Sequence, residues 1–373
     1  MTDRGWSHGF GIVGAGVIAA THADAISEIG GARLIAVTDV AADHATAFAH
    51  ARGCAAEPDL TALLSREDID VVCVCVPSGR HAEVGIEAAA AGKHLVVEKL
   101  MDVSLDAADA LIAAARAAGV RMTVISQHRF DPGPAELRRL LDEDALGQLV
   151  LGEAATKWHR TQEYYDTAAW RGTWALDGGS LLNQGIHYAD LLRWCMGPVA
   201  DVTAKFATRA HRVETEDIAV AVLTFASGAL GTIVTSTAAC PGSAQRLEIT
   251  GTEGTVVIED GQITRRALAI ESPESAGNAT ADPAATEPAA TTDPAAAAAD
   301  DPAADAAAIG ASAHAAQVAD LLVAIEEGRE PSVTGRDGRA ALELACAVYE
   351  SARQGRTVAL PVAPDRGAET TRQ

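Results

Sequence analysis

Aromatic residues make up only 4% of the 373 residues, and the 29 basic side chains are outnumbered by 51 acidic ones, leaving a formal net charge of −22. That shortage of positive charge argues against nucleic acid, because neutralising phosphates requires clustered Lys and Arg. It also disfavours an anionic membrane surface. Small anionic ligands stay open, since backbone N–H groups and single basic residues can bind them. The six cysteines include no Cys-x-x-Cys pair and no Cys/His ligand spacing, so neither a disulfide framework nor a metal site is expected. No uninterrupted apolar run reaches the roughly 18 residues of a membrane span. The opening MTDRGWSHGF lacks a signal-peptide apolar segment. These absences predict a cytoplasmic protein with no metal and no nucleic-acid or membrane partner.

What is present is enough apolar sequence (48%) for sizeable cores, and the length suggests two domains. From residue 10 to about 124, apolar strands alternate with Ala-rich helices, which predicts a parallel sheet covered on both faces. The first unit reads Phe10-Gly-Ile-Val-Gly14-Ala-Gly16-Val17-Ile18-Ala19. A strand, a glycine turn and a helix in that order form a dinucleotide-binding fingerprint, with Ala19 in the third small position. Gly14 allows the tight turn, and Gly16 lets a pyrophosphate approach the backbone at Val17 and Ile18. Asp39 ends the second strand. There it can accept both ribose hydroxyls and repel a 2′-phosphate, favouring NAD over NADP. Its competing reading is an N-cap for the next helix.

Further along, Val71–Val76 is a continuous apolar run ended by Pro77-Ser78, and Glu98-Lys99 follows the strand His94–Val97. Both turns fall at the carboxyl edge of the sheet, where ligands bind in open α/β folds. Five of the fourteen aromatic residues lie between Trp158 and Trp174, interleaved with His159, Arg160 and Arg171. Aromatic faces and guanidinium groups suit sugars; a core or subunit contact is the alternative. The stretch from Asp177 to Trp194 places Asn183, His187 and Asp190 at i, i+4 and i+7 of an expected helix.

The ordered set G14-A-G-V-I-A19, V76-P-S-G-R-H81, E98-K99 and G185-I-H187-Y-A-D190 resembles the Gfo/Idh/MocA family of glucose–fructose oxidoreductases, inositol dehydrogenases and related sugar dehydrogenases. The resemblance spans about residues 8 to 270 and 312 to 360. It implies a fold of class α/β: an N-terminal Rossmann doubly wound parallel sheet, then a C-terminal α/β domain with a large open-faced, mainly antiparallel sheet. It places Val76, Pro77, Ser78, His81, Glu98, Lys99 and Gln127 at the cofactor. Lys99 matches the family's catalytic lysine, and His187 is the expected general base. Asn183 and Asp190 orient substrate or histidine. Arg129, Trp158, Tyr165, Trp170 and Arg171 join Asn183 and His187 around the substrate. Two departures stand out. Leu100 replaces the proline of Glu-Lys-Pro, which predicts a differently shaped loop because cis bonds are costly without proline. Asn183 replaces an aspartate common in inositol dehydrogenases, so a Lys–Asp–His relay is not intact. Asn183-Gln184 instead resembles the nucleotide-sugar branch.

From about 199 to 264, runs of alternating apolar residues joined by short turns predict antiparallel strands. Residues 271–311 are mainly Ala, Pro, Asp, Thr and Glu with little apolar bulk, and read as a disordered insertion. Expected domains are therefore 1–126 (NAD-binding), 127–360 (substrate and oligomerisation) and a disordered tail, 361–373. Together these point to an NAD-dependent oxidoreductase acting on a secondary alcohol of a polyol, sugar, sugar derivative or cyclitol. A homodimer or homotetramer is expected through the open sheet face. The alternatives are a non-catalytic nucleotide-binding regulator or sensor on the same scaffold, or a glycosidase-type enzyme using tightly bound NAD.

Overall fold

A computed structural model describes residues 7–269 and 311–361. The proposed insertion and tail fall almost wholly outside the described residues. Six parallel strands form the first sheet: β1 (His8–Val13), β2 (Ala32–Thr38), β3 (Ala55–Ala56), β4 (Val71–Val74), β5 (His94–Val97) and β6 (Met122–Val124). Their spatial order is β3-β2-β1-β4-β5-β6. Chain order reverses between β1 and β4, which makes the carboxyl ends of those two strands the ligand crevice of a doubly wound sheet. The inner strands are apolar without alternation because both faces are covered: every residue of β4 is buried. Helices α1 (Val17–Glu28), α2 (Ala42–Arg52), α3 (Leu60–Leu64), α4 (His81–Ala90) and α5 (Leu105–Ala118) supply the covering layers.

After α6 (Pro132–Asp142), the chain builds an eight-stranded sheet from β7 (Leu149–Lys157), β8 (Val199–Ala207), β9 (Ile218–Phe225), β10 (Leu230–Ser236), β11 (Arg246–Gly251), β12 (Gly254–Glu259), β13 (Gln262–Leu268) and β14 (Val358–Ala359). Their order is β13-β12-β11-β7-β10-β9-β8-β14. All pairings are antiparallel except β7 with β10. β9 alternates buried and exposed residues, as a half-covered sheet requires. One face packs on α8 (Ile186–Met196) and on the helix Gly335–Gln354. The other leaves Val150, Leu151, Val220, Val222 and Leu230 exposed.

Sequence patterning anticipates nearly all of this, with three differences. The two-residue β3 is too short to carry a pattern. β13 has only one buried residue, so its apolar periodicity is weak. α6, whose sequence is largely polar, is only half on the surface: Leu137 and Leu140 are buried while Arg139 stays outside with Glu136 and Glu143. The closing helices return to the first domain. Ala311–Glu327 packs against α1, and its Gln317 accepts the Ser126 N–H and donates to the Val124 carbonyl.

Candidate active site

β1 hands over to α1 through Gly14, at φ +96°, where an added Cβ would sit 2.4 Å from the Cys75 carbonyl oxygen. Only glycine fits that left-handed, crowded position. Gly16 is the opposite case. It is the N-cap of α1, makes no side-chain cap, and a Cβ there would meet nothing within 4 Å. The free N–H groups of the first helical turn, at Val17 and Ile18, therefore face open space suited to an anion. Asp39 Oδ2 accepts the Ala15 N–H at 2.7 Å and Oδ1 accepts the Ala41 N–H at 2.8 Å. The N-cap of α2 is Ala41, so Asp39 pins the glycine turn and does not cap the helix. A carboxylate retains acceptor capacity beyond two such bonds. The cradle fits a dinucleotide.

The second turn, Val76-Pro77-Ser78, borders that cradle. Gly79 lies so close to the second half of the chain that a Cβ would be 2.0 Å from the Ala175 carbonyl oxygen. His81 is fully buried, its two ring nitrogens facing the carbonyls of Val76 and Leu100. This corrects its expected place at the cofactor: it braces the two loops that border the site.

Glu98 is likewise buried and turned inward. Its Oε1 meets His22 Nε2 of α1 at 2.8 Å and His314 Nε2 at 3.5 Å, and its Oε2 accepts the Lys99 N–H at 3.0 Å. His22 and then His314 hold the carboxyl well below its ordinary range despite burial, and the His22 imidazole is raised against its burial by Cys75 and Cys73, with Glu98 adding to them. Glu98 is thus a foundation under Lys99, not a cofactor contact. The three donor atoms lie within 4.8 Å of one another, the only cluster of metal-ligand spacing found among the described residues. Two of its members are already closed into a hydrogen-bonded pair.

Lys99 itself points the other way. Its Nζ donates to the Asn183 carbonyl oxygen at 2.7 Å and to Asn183 Oδ1 at 3.0 Å. Asn183 Nδ2 donates to Asp177 Oδ1, and Asp177 Oδ2 accepts the Gly172 N–H at 2.6 Å. Asn183 sits in a π-helical turn, Ser180–Gly185, ahead of α8. The helix expected from the glycines onward therefore begins later. Glu216 braces that turn, accepting the Leu181 N–H at 2.9 Å and the Tyr349 hydroxyl at 3.1 Å. His187, one residue into α8, lines the same crevice as Lys99. Its ring meets His128 edge to face, with centroids 4.9 Å apart, and His128 Nδ1 is 2.5 Å from Asp131 Oδ2. Burial first, then the neighbouring His128 and Lys99, hold the His187 imidazole well below its usual pKa. Burial also lowers Lys99, against the pull of Glu98 and Asp177.

Residues 8–126 match the family described as the oxidoreductase family with an NAD-binding Rossmann fold, and residues 135–257 match the GFO/IDH/MocA C-terminal domain. The chain belongs to the GFO/IDH/MocA family. An inositol 2-dehydrogenase of Rhizobium meliloti is 29% identical over 94% of this chain and 98% of its own length. An oxidoreductase of Bacillus subtilis, YrbE, is 31% identical over 68% of this chain and 74% of its own. The WlbA dehydrogenase of Bordetella pertussis, solved with NADH and UDP-GlcNAcA, superposes with a TM-score of 0.83 at 30% identity, covering 97% of this chain and 100% of that one.

Within this GFO/IDH/MocA framework several expected roles change. The Lys99–Leu100 peptide is cis, so leucine does not remove the tight turn. Asp190 borders the same gap as Lys99 and His187, but its carboxylate is turned to Arg129 and not to those two side chains. Asp190 and Arg129 are both buried and joined by a bidentate pair at 2.6 and 2.7 Å, with Arg129 Nη1 also on Asp337. They tie the 127–130 turn to α8 and to the last long helix. Gln127 is buried as well, with its Oε1 unpartnered. Tyr165 is inside, its hydroxyl 2.9 Å from Thr237 Oγ1, which removes it from the substrate wall. The rest of the aromatic loop is a stack of guanidinium and rings. Arg171 lies 4.2 Å from the Tyr164 centroid and 4.8 Å from Trp170, and Arg160 lies 4.9 Å from Trp158. Both arginines act on the Lys99 charge, so an acidic protein is locally basic around this lysine.

Asp177 was not among the expected site residues. Asp-Gly-Gly reads as a turn, and that reading hides a carboxylate whose partner is six positions on.

Proposed function

We propose that this protein is an NAD-dependent dehydrogenase that transfers hydride between nicotinamide and a secondary alcohol of a sugar, sugar derivative or cyclitol. The observation that carries the reading is the proximity of Lys99, at the carboxyl edge of the first sheet, to His187 on α8, close enough for the lysine charge to act on the imidazole. When bound, the nicotinamide supplies the hydride acceptor or donor; the protein supplies placement and proton transfer. Lys99 has three N–H donors, and Asn183 takes two of them. The third is available to the reacting oxygen, where an ammonium lowers the cost of alkoxide character. His187 is neutral near physiological pH and so can accept the alcohol proton.

Among substrates, a nucleotide sugar bearing a carboxylate is favoured over a free cyclitol. Arg160 and Arg171 supply positive charge beside Lys99, and WlbA, which carries UDP-GlcNAcA in its structure, is similar over nearly the whole chain. The exposed valines and leucines of the open sheet support a homodimer or homotetramer through that face. Residues 1–126 serve as the cofactor-binding unit and 127–360 as the substrate and oligomerisation unit.

The test is NADH absorbance with NAD and a panel of sugars, cyclitols, uronates and nucleotide sugars. Reduction with one of them supports the dehydrogenase. NAD binding without turnover on any of them would replace it with the regulatory reading. Product formation without NADH accumulation would replace it with chemistry on a tightly bound nucleotide.

A further inference from the structure

The amide of Asn183 stands between an ammonium and a carboxylate. Lys99 Nζ has only donors, so it must meet Asn183 Oδ1. Asn183 Nδ2 then faces Asp177 Oδ1, which accepts when ionised. Flipping the amide would set donor against donor at Lys99 and acceptor against acceptor at Asp177, so charge on both sides fixes its orientation. Asp177 is only 2% exposed, and a buried carboxylate is costly unless hydrogen-bonded and paired. Its remaining oxygen is held by the Gly172 N–H. The charged or titratable groups facing it are Lys99 from the end of β5, Arg171 from its own loop and Tyr165 from α7 (Gln162–Asp166).

We infer that Asp177 is a positioning residue for the reaction: it locks the Asn183 amide and, through it, holds Lys99 charged with one N–H free for the substrate oxygen. This rests on the dehydrogenase reading. An amide cannot relay a proton, so Asp177 acts by field and orientation. Burial pushes its carboxyl up to about 6. On acidification through that value it loses an acceptor, Asn183 loses its restraint and Lys99 loses a counter-charge.

The test uses Asp177→Asn and Asn183→Leu in the full-length protein, with two readouts. The first needs no turnover: competitive acetylation of Lys99 across pH, read by mass spectrometry. Both variants are expected to make Lys99 reactive at lower pH than in the wild type. The second is steady-state kinetics on whichever substrate the panel yields. For Asp177→Asn, kcat is expected to fall about tenfold or more. KM and NAD affinity should stay within about twofold, and the acid limb near pH 6 should disappear. An Asp177→Asn protein with the wild-type Lys99 titration and the wild-type pH profile overturns the inference. Should that variant fail to fold, Asn183→Leu decides, because an unchanged Lys99 titration there overturns it equally. If the wild type turns over nothing in the panel, the dehydrogenase reading fails while the Lys99 titration still decides the role of Asp177.

Discussion

Lys99 and Asn183, 84 positions apart, are joined twice, through the Asn183 main-chain carbonyl and its side-chain oxygen. In both bonds the lysine is the donor, and two facing acceptors favour its charged form; in the proposed reaction base chemistry then falls to His187. Lys99→Met should lower kcat about 10²–10³-fold, the loss of one donor to a developing oxyanion. NAD affinity, measured by fluorescence titration, should be little changed because the nucleotide turn is built elsewhere. Burial places the Lys99 pKa below its usual 10.5. Wild-type activity should therefore fall at alkaline pH before an exposed lysine would titrate, and a rate profile flat to that value would count against the charged role.

His187→Gln is the complementary change. Glutamine keeps a polar group in place but cannot take up a proton. Turnover should drop about 10²–10⁴-fold, with NAD affinity and melting temperature near wild type. Because the native imidazole is held well below its usual pKa, its protonation should not limit the wild-type rate at neutral pH. A wild-type inflection near the pKa of free histidine that disappears in His187→Gln would contradict this.

The two glycines of the first turn should separate folding from nucleotide binding. Gly14→Ala forces a Cβ against the Cys75 carbonyl oxygen in a left-handed backbone, which should cost about 1–3 kcal/mol in denaturant unfolding. Gly16→Val places its methyls in empty space, where the phosphates would lie. It should leave the unfolding midpoint near wild type and weaken NAD binding by about tenfold or more, as isothermal titration would measure.

The glycine turn and Asp39 were legible because their chemistry is local: a strand end, a tight turn and a helix start lie within a few residues, and Asp39 follows at the next strand. Lys99 and His187 were legible from motif order. The wiring behind them was not. A sequence shows that Asp190 and Arg129 carry charge but not that each is the other's partner across 61 positions. With that pairing unseen, both looked available to substrate. Glu98 is the same case. Its place at the sheet edge suggested the cofactor, while its partners come from α1 and from a helix more than 200 residues later.

That buried Glu98–His22 pair makes the last prediction, on stability. His22 has a raised pKa. Its contribution is full below the unfolded value of 6.5 and is lost as pH rises through the native one. Glu98 has a depressed pKa. Its contribution is full above the unfolded 4.5 and is lost as pH falls through the native value. Stability from the pair is therefore greatest between 4.5 and 6.5 and declines on both sides. Glu98→Gln removes the anion and leaves His22 buried without its counter-charge, an imbalance worth about 3–5 kcal/mol when a buried pair is broken. Some is recovered as His22 deprotonates, so the variant should be most destabilised at mildly acidic pH and closer to wild type at alkaline pH. Urea unfolding of both proteins at acidic, neutral and alkaline pH measures this. A destabilisation independent of pH would mean that the carboxyl contributes by packing alone.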